Sequence, residues 1–261
     1  MKCRVCNKEL FIRSDEKRLL ICENCNARYR LNVIKNDVGF FKNDYISREN
    51  YWLFEDVRKV ALQKINKIIL KYRPTPKQWL DVGSATGYIY QICSLPAETK
   101  VSIEVSSNGA KRIQKMYPDV RVINSDIDSA SLEGYSFDLC TVLDTIYFHP
   151  EPKKFMHKIY TYMQKGGILI CEVPNYQWLH LVGRTEEGGT HWKIYYCRKT
   201  IVELLSKVGF DYLETYDNIG NVPHGIKKII NYSAYYFGRS IRKITLGKID
   251  FVPKIIVVAK K

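Results

Sequence analysis

From Gln78 to Val173 five short apolar runs alternate with segments of helical period, and that alternation limits the chain to very few folds. The runs are Gln78–Val82, Val101–Val105, Val120–Ile123, Phe137–Leu143 and Gly167–Val173. Helical spacing fills the gaps at Tyr88–Leu95, Ser107–Tyr117 and Lys153–Met163. Parallel strands need a crossover between them, and a helix is the usual one, so the pattern predicts an α/β fold with helices on both faces of a mostly parallel sheet. Ligands of such sheets lie at the carboxyl ends of the strands, which is where candidate site residues are sought.

Three of those ends carry polar groups. The first strand runs into Gly83-Ser84-Ala85-Thr86-Gly87, a glycine turn that lets backbone approach a ligand at the start of a helix. Glu104, at the end of the second strand, suits a pair of ribose hydroxyls. Asp126, in Asn124-Ser125-Asp126-Ile127 after the third, is placed to reach an adenine amino group. The loop lacks Gly-x-Gly-x-x-Gly, which disfavours a dinucleotide-binding dehydrogenase.

Leu80-Asp81-Val82-Gly83-Ser84-Ala85-Thr86-Gly87, with Glu104 and Asp126, resembles the class I S-adenosylmethionine-dependent methyltransferases. Phe137-Asp138 through Pro150, Lys165-Gly166-Gly167 through Asn175, and His191 through Phe210 look like later motifs of that family. The likeness covers roughly residues 75–217, with Lys254–Val258 as a last, antiparallel strand. It implies a Rossmann-like sheet and an S-adenosylmethionine site formed by Asp81, Gly83, Ser84, Ala85, Gly87, Glu104, Asp126, Ile127 and Asp144.

The amino-terminal thirty residues are of another kind. Cys3-x2-Cys6 and Cys22-x2-Cys25 are spaced so that four thiolates can close on one tetrahedral ion, which predicts a structural Zn2+ in a zinc ribbon over residues 1–30. Asn7 and Asn26 follow each pair and suit a left-handed turn. Leu10–Ile12 and Leu19–Ile21 read as short strands flanking a polar loop at 13–18. Residues 31–72 form a linker and a helix beginning near Ser47 and stopped by Pro74 and Pro76, and residues 73–261 form the methyltransferase domain. Cys93, Cys140, Cys171 and Cys197 read as buried thiols.

The acceptor is narrowed by what is missing. No Asn/Asp-Pro-Pro-aromatic turn follows the fourth strand, against exocyclic base amines, and no loop cysteine serves pyrimidine C5 chemistry. The resemblance leaves two zinc-ribbon groups: methyltransferases of saccharide pathways, and those acting on guanine N1 of ribosomal RNA. The strand-five and His191–Phe210 segments favour a saccharide or carrier-linked saccharide hydroxyl, and charge favours RNA. A non-catalytic cofactor-binding or recruiting protein is a third reading. Saccharide-type relatives commonly carry Glu-His after strand four, a place that Tyr147-Phe148 takes in this chain, so the candidate bases are His191 and His149. Tyr147, Trp178 and Tyr195 are candidates for stacking on a sugar or base.

The chain has 41 Lys and Arg against 27 Asp and Glu, a net charge of +14. With 46% hydrophobic and 26% charged residues it is of globular composition, and global disorder is excluded. It begins with no secretory signal and shows no run of membrane-spanning length, so a cytoplasmic protein is expected. Nine cations and one acid fall in residues 221–261. In that segment Ile226, Ile230, Ala234, Phe237, Ile241 and Ile244 share one helical face, read as packing on the sheet between its last two strands. An anionic acceptor, RNA or a peripheral membrane surface are the alternative partners of this segment.

Overall fold

The computed structural model describes residues 2–9, 11–12, 19–30, 41, 46–181, 191–222 and 225–261. Leu10, the 13–18 loop, most of the 31–46 connector and the glycine-bearing stretch before His191 lie outside them.

In chain order the strands begin with β1 (Phe11–Ile12), β2 (Leu19–Ile21) and β3 (Arg28–Arg30). Next come β4 (Gln78–Val82), β5 (Thr99–Ile103), β6 (Val120–Ile123), β7 (Phe137–Leu143) and β8 (Met163–Pro174). The last are β9 (Ile194–Tyr195), β10 (Asp211–Asn218) and β11 (Lys254–Lys260).

A seven-stranded sheet carries the molecule. Its spatial order is β10-β11-β8-β7-β4-β5-β6, parallel throughout except that β11 runs antiparallel to both its neighbours. Strands near the middle are covered on both faces and read accordingly: six of the seven residues of Phe137–Leu143 are buried. Helices Ser107–Met116, Pro152–Tyr162 and Arg198–Val208 supply the cover, each burying one apolar stripe.

The helix expected from Ser47 to Pro74 is broken. A short helical turn at Tyr51–Phe54 gives way to a 3-10 turn at Asp56–Arg58 before the helix Lys59–Tyr72 begins. Two charges hold the break: Glu55 pairs with Arg112 at 2.6 Å, and Arg58 turns inward to Glu172 at 2.9 Å. The broken stretch contributes Asn50, Leu53, Phe54 and Arg58 to the pocket lining at the strand ends.

The amino-terminal cysteine module is not an appendage. Its strands β1, β2 and β3 form an antiparallel sheet completed by β9 from the large domain. The register is Arg28 opposite Tyr195 and Tyr29 opposite Ile194. Cys3, Val5, Cys25 and Tyr29 belong to the same buried cluster as Leu80, Val142 and Leu204. The Thr200 hydroxyl donates to the Cys25 carbonyl at 2.6 Å, and the Arg4 guanidinium donates to the Pro150 carbonyl at 2.9 Å. Neither the strand pairing nor the packing therefore stops at residue 30.

Candidate functional site

Along the carboxyl ends of β5, β4, β7 and β8 lies a pocket of about 500 Å3, in the range that small-molecule sites occupy. One half is built from the glycine turn. Gly83 has φ +76°, and a Cβ there would overlap the Thr145 side chain. Gly87 has φ +75° against Ile113 and Tyr117. The two glycines thus serve the packing of the turn itself, and Ser84, Ala85 and Thr86 between them line the pocket together with Gly83. The Thr86 hydroxyl is buried with no hydrogen-bond partner among the described residues.

Glu104 stands at the floor of this half, its Oε2 accepting from the Ala85 N–H and its Oε1 from the Ser106 N–H, both at 2.7 Å. Burial pushes its carboxyl up to about 7, against the pull of those two donors. Asp81, hydrogen-bonded by the Thr141 hydroxyl at 2.5 Å, is pushed up to about 6 by burial. A ligand donating hydroxyls to Glu104 would restore the charge that burial suppresses. The orphaned Thr86 hydroxyl and this under-charged carboxyl fit the ribose and amino-acid ends of S-adenosylmethionine.

Of the expected cofactor residues, Asp81, Gly83, Ser84, Ala85, Glu104 and Asp144 line the pocket together. Gly87 supports the turn from behind. Asp126 is three residues beyond the end of β6, and its carboxylate caps its own turn by accepting from the Ser129 N–H at 2.9 Å and the Ser129 hydroxyl at 3.1 Å. Ile127 is buried beside it in the main core. Neither is among the lining residues.

The other half holds charges of which the sequence patterns mark only Asp144. Arg58, Asp144, Glu172 and Lys254 meet at the ends of β7, β8 and β11: Arg58 bridges Asp144 and Glu172, and Lys254 contacts Asp144 and stands 3.6 Å from Glu172. Asn218 donates its amide to the remaining oxygen of Glu172 at 2.5 Å. Asp144 has φ +54°, and its Oδ1 is buried without a hydrogen bond among the described residues. Burial, reinforced by the like charge of Arg58, lowers Lys254 to about 7. The available signal is a charge inside an apolar strand, in Cys171-Glu172-Val173 and at the head of Lys254-Ile255-Ile256-Val257, where buried charge demands a partner.

Facing these charges is an aromatic wall of Tyr147, Phe148, Trp178 and Trp192, in which Tyr147 and Trp192 stand 4.4 Å apart. Tyr195 is instead buried in β9. Strand β7 ends at Leu143, so the two residues directly following it are Asp144 and Thr145; Tyr147 and Phe148 belong to the next turn, Ile146–Phe148. His149 sits outside the pocket lining, its Nε2 3.2 Å from Asp128. His191 packs edge-on to Phe41, a lining residue, at 5.7 Å.

The sheet order and this pocket agree with a match of the sequence to the methyltransferase-domain family over residues 53–215. The chain belongs to that family. It is an S-adenosylmethionine-dependent methyltransferase with a Rossmann-like fold. Among solved structures the methyltransferase is similar to the plantazolicin methyltransferase BpumL in complex with SAH, at 16% identity over 82% of this chain and 88% of that one, TM-score 0.55. It is similar to a Thermotoga maritima enzyme described as a possible histamine N-methyltransferase, at 17% identity, 82% and 93% coverage and TM-score 0.55. A Mesorhizobium loti S-adenosylmethionine-dependent methyltransferase matches at 13% identity, 77% and 98% coverage and TM-score 0.57. No protein of curated function matches it by sequence.

The four cysteines of the methyltransferase's amino-terminal sheet are buried with their sulfurs all within 4.8 Å of one another. Cys3 and Cys25 are 3.6 Å apart and Cys6 and Cys22 3.5 Å, close to the edge of about 3.8 Å expected for a tetrahedron of 2.3 Å metal–sulfur bonds. Asn7 and Asn26 are left-handed, at φ +64° and +58°, as their positions after each pair required. The Tyr29 hydroxyl lies 3.1 Å from the Cys3 sulfur, and the Val5 N–H donates to it at 3.4 Å. The donor set suits a closed tetrahedral site. Cys93, Cys140, Cys171 and Cys197 are buried singly, and burial pushes the first three thiols up, which keeps them protonated and inert.

Proposed function

We propose that this methyltransferase O-methylates a hydroxyl of a saccharide or carrier-linked saccharide, with a structural zinc held by Cys3, Cys6, Cys22 and Cys25. One observation supports the acceptor: an aromatic wall faces a carboxylate whose Oδ1 has no donor among the described residues, in a pocket already provided with the glycine turn and Glu104. Sugars are held by that pairing of an apolar face with a hydrogen-bond acceptor. Saccharide chemistry also agrees with the Val173–Asn175 and His191–Phe210 segments.

When bound, S-adenosylmethionine supplies a methyl already activated on a sulfonium. The chain's part is alignment and the proton. Glu104, Ser84 and Ala85 would hold the cofactor's ribose side, and Asp81 with Thr86 its amino-acid side. Asp144 accepts the acceptor's O–H through Oδ1 and fixes the direction of its lone pair. As the oxygen takes the methyl and the S–C bond breaks to leave a neutral thioether, the proton would pass along that hydrogen bond to Asp144 and on to Lys254, which contacts Asp144 and is able to be neutral near pH 7, and from there to water. Against its burial, Lys254 and Arg58 together hold the Glu172 carboxyl below its ordinary range. His191 and His149 are the competing bases. Asp144→Asn that keeps cofactor binding but loses more than about a hundredfold in kcat, with His191→Ala and His149→Ala changing kcat little, supports this assignment; the reverse pattern returns the role to a histidine.

For the acceptor, labelled S-adenosylmethionine is incubated separately with glycolipid and polysaccharide extract, total RNA and an azole peptide. Label in the glycan fraction is expected. Label only in RNA would establish the guanine reading, and label only in the peptide an acceptor like that of the plantazolicin enzyme. Metal analysis of the purified chain should return about one zinc per chain.

A further inference from the structure

The helix Ile226–Ile244 is inside out. The residues it turns toward the protein are Tyr235, Gly238, Arg239 and Arg242: Gly238 lies so close to the Phe251 carbonyl that a Cβ would overlap it, and both arginines reach Asp217. The residues it turns to solvent are apolar. Ile226 is 74% exposed, Ile230 60%, Phe237 66% and Ile244 80%, all on one face, with Ile229 and Tyr236 beside them. Leu246, in the turn that follows, is 90% exposed. The face expected to pack on the sheet is the face that looks away from it. Arg198 and Arg242 together with Arg239 satisfy the buried Asp217, so the inner side is held by charge and the outer side is left with the isoleucines.

We infer that this helix lies flat on an anionic lipid bilayer, its Ile226–Ile244 face entering the acyl boundary. A helix of this length covers about 28 Å of surface, and an amphipathic helix with such a face binds in the plane of the interface. The charges at its margins choose the partner. Lys243 on the helix and Lys248 just beyond its end are exposed beside the apolar strip, and Asp250, the one acid of this segment, is buried against Arg198. Pairing with a second copy would crowd these lysines together with no exposed acid between them. Nucleic acid would satisfy the lysines and leave the isoleucines in water. Anionic headgroups satisfy both. Asn231, on the inner side of the same helix, lines the pocket, so docking would set the pocket behind the helix, about one helix diameter (~10 Å) from the bilayer; that an acceptor borne on lipid reaches it from there rests on the proposed function, whereas docking itself does not.

The test is co-sedimentation of the full chain with phosphatidylcholine vesicles and with vesicles containing phosphatidylglycerol, at low and high salt, beside calorimetry of S-adenosylmethionine binding. Binding that rises with phosphatidylglycerol and falls more than about tenfold in F237E and in I244E, both with unchanged cofactor affinity, is the expected result. K243E combined with K248E should remove the dependence on phosphatidylglycerol. No binding to either vesicle overturns the docking while cofactor binding stands; a dimer in solution that F237E dissociates, without vesicle binding, overturns it in favour of a second copy. Retention by RNA alone overturns it likewise. Vesicle binding without cofactor binding would overturn the proposed function and leave the docking intact.

Discussion

Glu104 sets how the cofactor half of the pocket responds to pH. Its carboxyl, pushed up to about 7 by burial, must be ionised to accept ligand hydroxyls, so binding favours the deprotonated form and releases a proton at lower pH. Cofactor affinity should rise from pH 6 to 8 and level off above about 7, and calorimetry in buffers of different ionisation enthalpy should register the released proton. E104Q should bind more than about tenfold more weakly and lose the pH dependence. The unliganded fold carries the opposite slope: because the folded pKa lies above the ordinary value, the folded state holds the extra proton between about 4.5 and 7, and stability falls as pH rises through that window. Glu104 is legible from its place after a strand. The Arg58–Asp144–Glu172–Lys254 cluster is not, because its members come from four distant parts of the chain and only the sheet order unites them. Removing one partner strands the others: Arg58→Met should cost about 3–5 kcal/mol in urea denaturation, with Glu172 fully buried.

At the scale of elements, strands are easier to read than helices. The buried strands Phe137–Leu143 and Lys254–Lys260 announce themselves as continuous apolar runs. The helix after Ser47 has continuous spacing too, yet it breaks at Glu55 because Arg112 and Glu172 pull successive turns in different directions, and such pulls come from outside the segment. The Ile226–Ile244 helix escapes for a related reason: periodicity gives an apolar face and says nothing of which way it points. Gly83 marks the limit in the other direction. Its motif reads as room for a ligand, and the fold uses that room for Thr145. Gly83→Ala should lower stability by about 1–3 kcal/mol from the φ of +76° and the collision together, and adding Thr145→Ala should recover only the part due to the collision, as thermal unfolding of the pair will register.

For the molecule as a whole, the +14 is redistributed by folding. Arg198, Arg239 and Arg242 converge on Asp217, and Arg58 and Lys254 are buried with acids, so five of the cations are engaged within the fold rather than offered to a partner. No helix among the described residues is long and apolar enough to cross a membrane. Because the cysteine module and the large domain share one core, they should unfold together: Cys22→Ser, or a strong chelator, should lower a single thermal transition and not remove an early, separate one. The pairing of Arg28–Tyr29 with Ile194–Tyr195 also orders events in time. Arg30 and its contact Tyr195 are separated by 165 residues, so a ribosome that has finished the four cysteines needs roughly ten to thirty seconds more to deliver the strand that covers them. Through that interval the thiols stand without the fourth strand of their sheet. An ion captured early by these four thiolates would guard them from oxidation until their cover arrives, and would then act during synthesis as well as in the finished enzyme.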